Sequence, residues 1–234
     1  MTPERHARLK KVLSRRQPDL TVLVESVHKP HNLSAIMRTC DAVGVLRIHA
    51  VPSRDGLDLS KASAGGTLKW VDAVRYPDIG SAASTLKADG FRIVAAHLDS
   101  QAVDYQSEDY TVPTAFLMGT ELDGLSQAAL DTADRMVTVP MMGMVPSLNV
   151  SVATALLLYE ARRQRNLKGF YDRPRLSAET RARMLFQWGY PRLARKLDTL
   201  GEAYPALDES GAIVDPGLDL NGVTDATAIM DTVE

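Results

Sequence analysis

Residues 114–126 read TAFLMGTELDGLS. The first five are apolar except for Thr114. Gly119, a short polar turn with a second glycine at 124, and Ser126 follow. An apolar run of this length, closed by a glycine turn, reads as a strand buried on both faces, as in a parallel sheet. Ser126 can then cap a short helix reaching Ala133. A strand that passes through a glycine-bearing loop into a helix, repeated along a chain, is the sequence form of an α/β fold.

The same grammar extends in both directions. Upstream, FRIVAAHL (91–98) is another nearly continuous apolar run, and LTVLVES (20–26) and GVLRIHAV (44–51) are rich in β-branched residues. WVDAVRY and, downstream, RMVTVP (135–140) add two more candidate strands. Between them lies HKPHNLSAIMRTCDAVG (28–44), where Leu33, Ile36, Met37, Cys40 and Val43 recur at helical spacing. Pro30 is expected to precede this helix, with Asn32 or Ser34 capping it, and Arg38 falls off its apolar stripe near Asp41. DIGSAASTLKADG reads as a helix closed by Gly90, and NVSVATALLLYEARRQRN (149–166) as the longest helix, apolar first and basic at its end. Residues 52–69 read as a loop, 3–16 as a basic amphipathic helix and 177–200 as one or two basic helices. Beyond about 205 the chain is acidic and is expected to be loosely held.

A chain of 234 residues, 45% apolar, can bury a substantial core without disulfides. Cys40 is its single cysteine, so neither a disulfide framework nor a thiolate metal site is expected. The opening residues lack the apolar core of a leader, and the longest apolar run, ATALLLY, is far too short to span a bilayer. A cytoplasmic protein with no membrane partner is expected. The net charge of −2 conceals a segregation: residues 1–16 and 160–200 together carry +12, the last 34 residues −8 and the middle −6. Two basic arms beside an acidic body point to a polyanionic partner.

Several familiar sites are missing. No G-x-G-x-x-G follows a strand, which removes the main support for dinucleotide binding, and there is no G-x-x-x-x-G-K-[ST] phosphate loop. His6, His28, His31, His49 and His97 have no metal-ligand spacing, so no metal is expected. What remains is three loops at expected strand ends. The first leads into Asn32 and Arg38, the second is GTELDGLS, and the third is MMGMVPSLN, entering the long helix. In open α/β sheets ligands sit in such loops.

Taken in order, HKPHNLSAIMRTCDAVGV, FLMGTELDGLS and VPMMGMVPSLNVSVATALLLYEARRQR resemble the SpoU branch of the SPOUT RNA methyltransferases. The flanking RHARLKKVLSRRQPDLTV and MLFQWGYPRLARK are similar to its subgroup acting on a guanosine ribose of the tRNA D-loop, and the likeness covers roughly residues 5–200. The resemblance implies a parallel sheet flanked by helices, a C-terminal trefoil knot, and helical extensions at both ends. On that reading residues 1–18 are a basic extension, 19–168 the methyltransferase domain, 169–204 basic helices and 205–234 an acidic tail. It further implies S-adenosylmethionine as cofactor, tRNA as partner, and a homodimer whose active sites are completed across the interface.

Residue by residue, the resemblance assigns Arg38, Asn32, Glu121, Ser147 and Asn149 to catalysis. Ala96, Leu98, Gly119, Val139, Met141 and Leu148 are assigned to the cofactor, largely through backbone groups. Arg38 is expected at the reacting hydroxyl with Asn32 orienting it, and Glu121 is expected to fix the loops. The basic residues Arg8, Lys10, Lys11, Arg15, Arg16, Arg162, Arg163, Arg165 and Lys168 are expected to follow RNA phosphates. Fewer than twenty residues precede the first expected strand, which favours tRNA over ribosomal RNA as substrate. The reaction expected is 2′-O-methylation of guanosine 18. The alternatives are another tRNA or rRNA nucleoside, or a non-catalytic RNA binder on the same scaffold.

Overall fold

In a computed structural model of the chain, the described residues are 1–27, 29–52, 69–100, 102–120 and 124–214. Glu121, most of the loop expected at 52–69 and the tail beyond residue 214 lie outside them. The described elements run α1 (Pro3–Leu13), β1 (Leu20–Glu25), α2 (Pro30–Val43), β2 (Arg47–Val51), β3 (Asp72–Arg75), α3 (Ile79–Ala88) and β4 (Arg92–Ala96). They continue with β5 (Val103–Asp104), a 3₁₀ turn (Tyr105–Ser107), β6 (Thr114–Met118), α4 (Gln127–Leu130), β7 (Arg135–Thr138), α5 (Val150–Leu167), α6 (Ala178–Gly189) and α7 (Pro191–Leu200). Two compact units result: Arg15–Arg175, and Met1–Ser14 with the chain from Leu176 onward.

The larger unit is built on a seven-stranded sheet of order β3-β2-β1-β6-β4-β7-β5, every described pairing parallel. The TAFLM stretch is its middle strand, with Thr114 level with Leu20 of β1 on one side and Arg92 of β4 on the other. All five of its residues are buried. Side chains alternate across the pleat. Phe116 and Met118 join Val22, Val24 and Val94 beneath α2 and α5, while Ala115 and Leu117 join Leu23, Ile93 and Ala95 beneath α3 and α4. Burying Phe116, Leu117 and Met118 contributes roughly 1.5–3 kcal/mol each.

The start of α2 differs from the sequence expectation. Pro30 is its first residue, where a missing N–H costs nothing, and Lys29 is the N-cap, with no side-chain cap bond. Asn32 is therefore not a cap; it is buried and bonded elsewhere. Gly44 ends the helix at φ +91°, and a Cβ there would lie 2.7 Å from the Arg15 carbonyl oxygen.

Two basic residues expected to face RNA are instead inside the fold. Arg16 is fully buried, with Nη2 donating to Asp41 Oδ1 at 2.5 Å and to the Trp70 carbonyl, and Nη1 to the Val45 carbonyl. Asp41 is thus the partner of Arg16, not of Arg38. Arg165 is equally buried: Nη1 donates to Asp19 Oδ1 at 2.6 Å, Nε to the Tyr110 carbonyl, and Nη2 to the carbonyls of Asp19 and Val112. A guanidinium buried in this way, with both terminal nitrogens bonded inside the fold, is out of reach of a phosphate.

In the smaller unit α1 packs on α6. Phe186, Ala194 and Leu197 form its core with Tyr190, Leu193, Tyr204, Leu207 and Ile213 around them, and Tyr204 stacks on Phe186 at 4.7 Å. Residues 205–214 are not loosely held. An antiparallel bridge joins Leu207 to Ile213, and Asp208 Oδ1 accepts from the backbone of Ser210 and Ala212. No described helix is long and apolar enough to cross a membrane.

Candidate active site

The carboxyl ends of β4, β6 and β7 open onto a cavity of about 410 Å³. Ala96, His97 and Leu98 leave β4, Met118, Gly119 and Thr120 leave β6, and Thr138, Val139 and Met141 leave β7; Ser147 and Leu148 approach α5. The structure thus brings into one wall all six residues assigned above to a cofactor, together with Ser147. His97, Thr120, Thr138 and Pro146 also line it, and the sequence reading assigns none of them to the cofactor or to catalysis. Their position within one to three residues of a strand end, or inside the third loop, was the available signal.

Gly119 shapes the middle of this wall. A Cβ on it would sit 2.1 Å from the Gly124 carbonyl oxygen and 2.7 Å from the Leu125 nitrogen, so only a glycine lets the two limbs of the loop touch. The Thr120 N–H donates to the same Gly124 oxygen at 2.9 Å. Two residues on, Ser126 caps α4 by accepting from the Ala129 N–H, and it is held from below by Glu25, the last residue of β1. Glu25 Oε1 accepts from Ser126 Oγ at 2.7 Å and Oε2 from Ser126 N at 2.9 Å. The next residue, Ser26, has φ +55°, a left-handed conformation that costs a non-glycine residue energy and is concentrated at functional turns.

Asn149 caps α5, its Oδ1 accepting from the Ser151 N–H at 2.9 Å and from Ser151 Oγ at 2.5 Å. Its Nδ2 donates to Oδ1 of the buried Asn32 at 3.2 Å, so two of the assigned catalytic residues fasten α2 to α5. Asn32 has no bond to Arg38. Arg38 is exposed, makes no hydrogen bond or ion pair with the described residues, and does not line the cavity. Glu121 lies outside the described residues.

Of the basic residues, Arg8, Lys10, Lys11, Arg15, Arg162, Arg163 and Lys168 are exposed. Arg163 is gripped by Glu160 through Nε at 2.8 Å and Nη2 at 2.7 Å, which holds the Glu160 carboxyl below its usual range. Around the cavity mouth several apolar side chains face outward: Met142 is 95% exposed, Met144 100% and Leu98 57%. No group of three His, Cys, Asp or Glu side chains among the described residues is arranged to hold a metal ion.

Comparison with known proteins places this geometry in a family. The model of the SpoU rRNA Methylase family matches residues 19–159, and that of the SpoU rRNA methylase C-terminal region matches 163–216. A tRNA (guanosine(18)-2′-O)-methyltransferase of Escherichia coli K12 is 48% identical over 91% of this chain and 94% of its own length. The crystal structure of a TrmH/SpoU tRNA modifying enzyme from A. aeolicus superposes with a TM-score of 0.73 at 41% identity, covering 80% of this chain and 96% of that one. The SpoU methyltransferase AviRb of Streptomyces viridochromogenes, solved in complex with the cofactor AdoMet, gives 0.57 at 30% identity over 66% of this chain and 62% of its own. With a family model running from just before β1 well into α5, and a relative alignable over nine-tenths of the sequence, this chain belongs to the SpoU rRNA methylase family.

Proposed function

We propose that the protein transfers a methyl group from S-adenosylmethionine to the ribose 2′-OH of guanosine 18 in tRNA. The observation that carries this reading is the near full-length likeness to a relative named for that reaction. The cavity fits the cofactor. Its 410 Å³ is within the range of small-molecule sites, and its lining is mainly apolar. Backbone groups near Ala96, Leu98, Gly119, Val139, Met141 and Leu148 would hold it.

When bound, S-adenosylmethionine supplies a methyl group on a sulfonium centre that is already electrophilic. The residues have to align the 2′-OH and manage its proton. Arg38 cannot act as the base, because a guanidinium keeps its proton at any working pH. Its role is to bind the phosphate beside the target ribose and to stabilise the alkoxide that develops, while the proton leaves to that phosphate or to a water. Ser147 sits in the cavity wall to hold the third loop against cofactor or substrate. Asn32 and Asn149 act on Arg38 indirectly, by fixing α2 against α5. Glu121 fixes the loop after β6.

That Arg38 does not line the cavity of its own chain supports a homodimer in which a second copy completes each site. The outward-facing Met142, Met144 and Leu98 supply apolar surface for such a contact or for the substrate. The same family reading carries the trefoil knot in the C-terminal half of the larger unit, and a cytoplasmic location. Arg8, Lys10, Lys11, Arg15, Arg162, Arg163 and Lys168 would follow the tRNA backbone. Arg38→Ala tests the reading: with bulk tRNA and labelled cofactor, the parent transfers methyl groups and the variant loses at least a hundredfold in rate while still binding cofactor. A parent that transfers nothing to several tRNAs contradicts it.

A further inference from the structure

β1 is an apolar strand, buried along its whole length, that ends in a carboxylate. Glu25 is only 9% exposed, and burying an acid costs free energy unless its oxygens are bonded. Both are, and both by the same residue: Oε1 accepts from the Ser126 hydroxyl at 2.7 Å and Oε2 from the Ser126 N–H at 2.9 Å. With its hydroxyl proton committed to Glu25, Ser126 has a lone pair fixed for the Ala129 N–H at 3.1 Å. A plain helix cap needs only that last bond. The carboxylate adds something else, a fixed height for the loop that precedes the cap.

That loop has two described ends, Gly119 with Thr120 and Gly124, which line the cavity. Its first limb is anchored through Met118, which is paired with Val24 in the sheet. Its second limb ends two residues before Ser126, and the two limbs are in backbone contact at Gly119. We propose that Glu25 is a positioning residue for the methyl donor, acting through Ser126 on the wall that Gly119 and Gly124 form; the inference rests on the methyltransferase reading above. Loosening this grip lets the second limb drift and the cavity lose its shape, without touching any exposed basic residue assigned to tRNA. The defect therefore falls on cofactor binding and spares RNA binding.

The test is calorimetric titration with S-adenosylhomocysteine alone, beside KM for tRNA, for the parent and for Glu25→Gln, Ser126→Ala and Ser126→Thr. Glu25→Gln presents an amide donor to a residue offering two donors, so affinity for S-adenosylhomocysteine is expected to fall about tenfold to a hundredfold, the scale of a lost charged hydrogen bond. KM for tRNA stays within about twofold. Ser126→Ala gives a smaller loss of the same kind, and Ser126→Thr, which keeps both donors, recovers most of it. Combining Glu25→Gln with Ser126→Ala adds little to Glu25→Gln alone, because the two act in series. If Glu25→Gln does not fold, the alanine and threonine variants at 126 decide the matter. Cofactor affinity equal to the parent's, or cofactor and tRNA affinities falling together, overturns the inference alone. A parent that binds no S-adenosylhomocysteine overturns the reading beneath it.

Discussion

Replacing Arg165 by alanine separates a basic residue that builds the fold from those that can meet RNA. The side chain is fully buried and donates to Asp19 Oδ1 and to the carbonyls of Tyr110, Asp19 and Val112. Its removal takes a donor from each of these three carbonyls, those of Asp19 and Val112 keeping Thr114 N–H and Oγ1, and leaves Asp19 with Arg175 at 2.9 Å as its remaining ion-pair partner. Breaking a buried pair from one side costs about 3–5 kcal/mol, a large fraction of the roughly 5–15 kcal/mol that holds a domain together. With a urea dependence of about 2 kcal/mol per molar, the unfolding midpoint falls by about 1.5–2.5 M. Arg162→Ala, three residues earlier and exposed, is the control and shifts stability by no more than about 0.5 kcal/mol. The assay is urea unfolding followed by circular dichroism, with tRNA binding measured well below each midpoint. An Arg165→Ala protein with the parent's midpoint and a selectively weakened tRNA affinity would refute the structural role and return Arg165 to the RNA surface.

Three further outcomes follow from the geometry. Gly119→Ala drives a Cβ into the Gly124 carbonyl, so the loop must open, and S-adenosylhomocysteine affinity measured by calorimetry drops at least about tenfold; unchanged affinity would show that the limb contact is dispensable. His49 is buried beside Tyr76, its Nδ1 3.0 Å from the Tyr76 hydroxyl, and burial, with Arg47 nearby, pushes its pKa down to about 4. Because the unfolded value is about 6.5, its contribution is complete above pH 6.5 and is lost as pH falls from there toward 4, on the order of 2 kcal/mol in all. His49→Gln flattens that part of the urea midpoint profile, and an unchanged slope rejects the assignment. Finally, Arg162→Ala weakens tRNA binding and reduces the slope of log affinity against log salt by about 0.7–0.9 if it neutralises one phosphate. An unaltered slope removes it from the RNA path.

The parts of the fold that were legible in sequence are those where burial leaves a pattern. TAFLM and RIVAA are continuous apolar runs because both faces of a central parallel strand are covered, and both are strands. β5 was not legible: two residues and a 3₁₀ turn within 103–107 are too short for any periodicity to register. Asn32 looked like a cap because the rule for helix starts is local, yet Pro30 takes the first position and frees Asn32 to bond Asn149, 117 residues away. The burial of Arg16 and Arg165 is hidden from sequence for a related reason. Charge counts treat every arginine as solvated, whereas burial here is set by Asp41 and Asp19, one of which lies 146 residues from its arginine.

At the site, the three loops were legible because strand ends followed by glycine and a polar helix start are distinctive. Glu25 is an acid closing an otherwise apolar run, a sequence signal that its carboxylate needs partners inside the fold. The backbone contact of Gly119 with Gly124 could not be read at all, since two glycines five apart do not say that their peptides touch. Nor does sequence spacing say that Arg38 is not among the residues lining the cavity of its own chain.

Methyl transfer to one ribose is best checked by locating the product. Unmodified tRNA is incubated with the protein and S-adenosylmethionine, and each ribose 2′-OH is then read for methylation. A single new 2′-O-methyl group is expected at guanosine 18, absent with Arg38→Ala. Methylation at another nucleoside, on a base, or nowhere would contradict it.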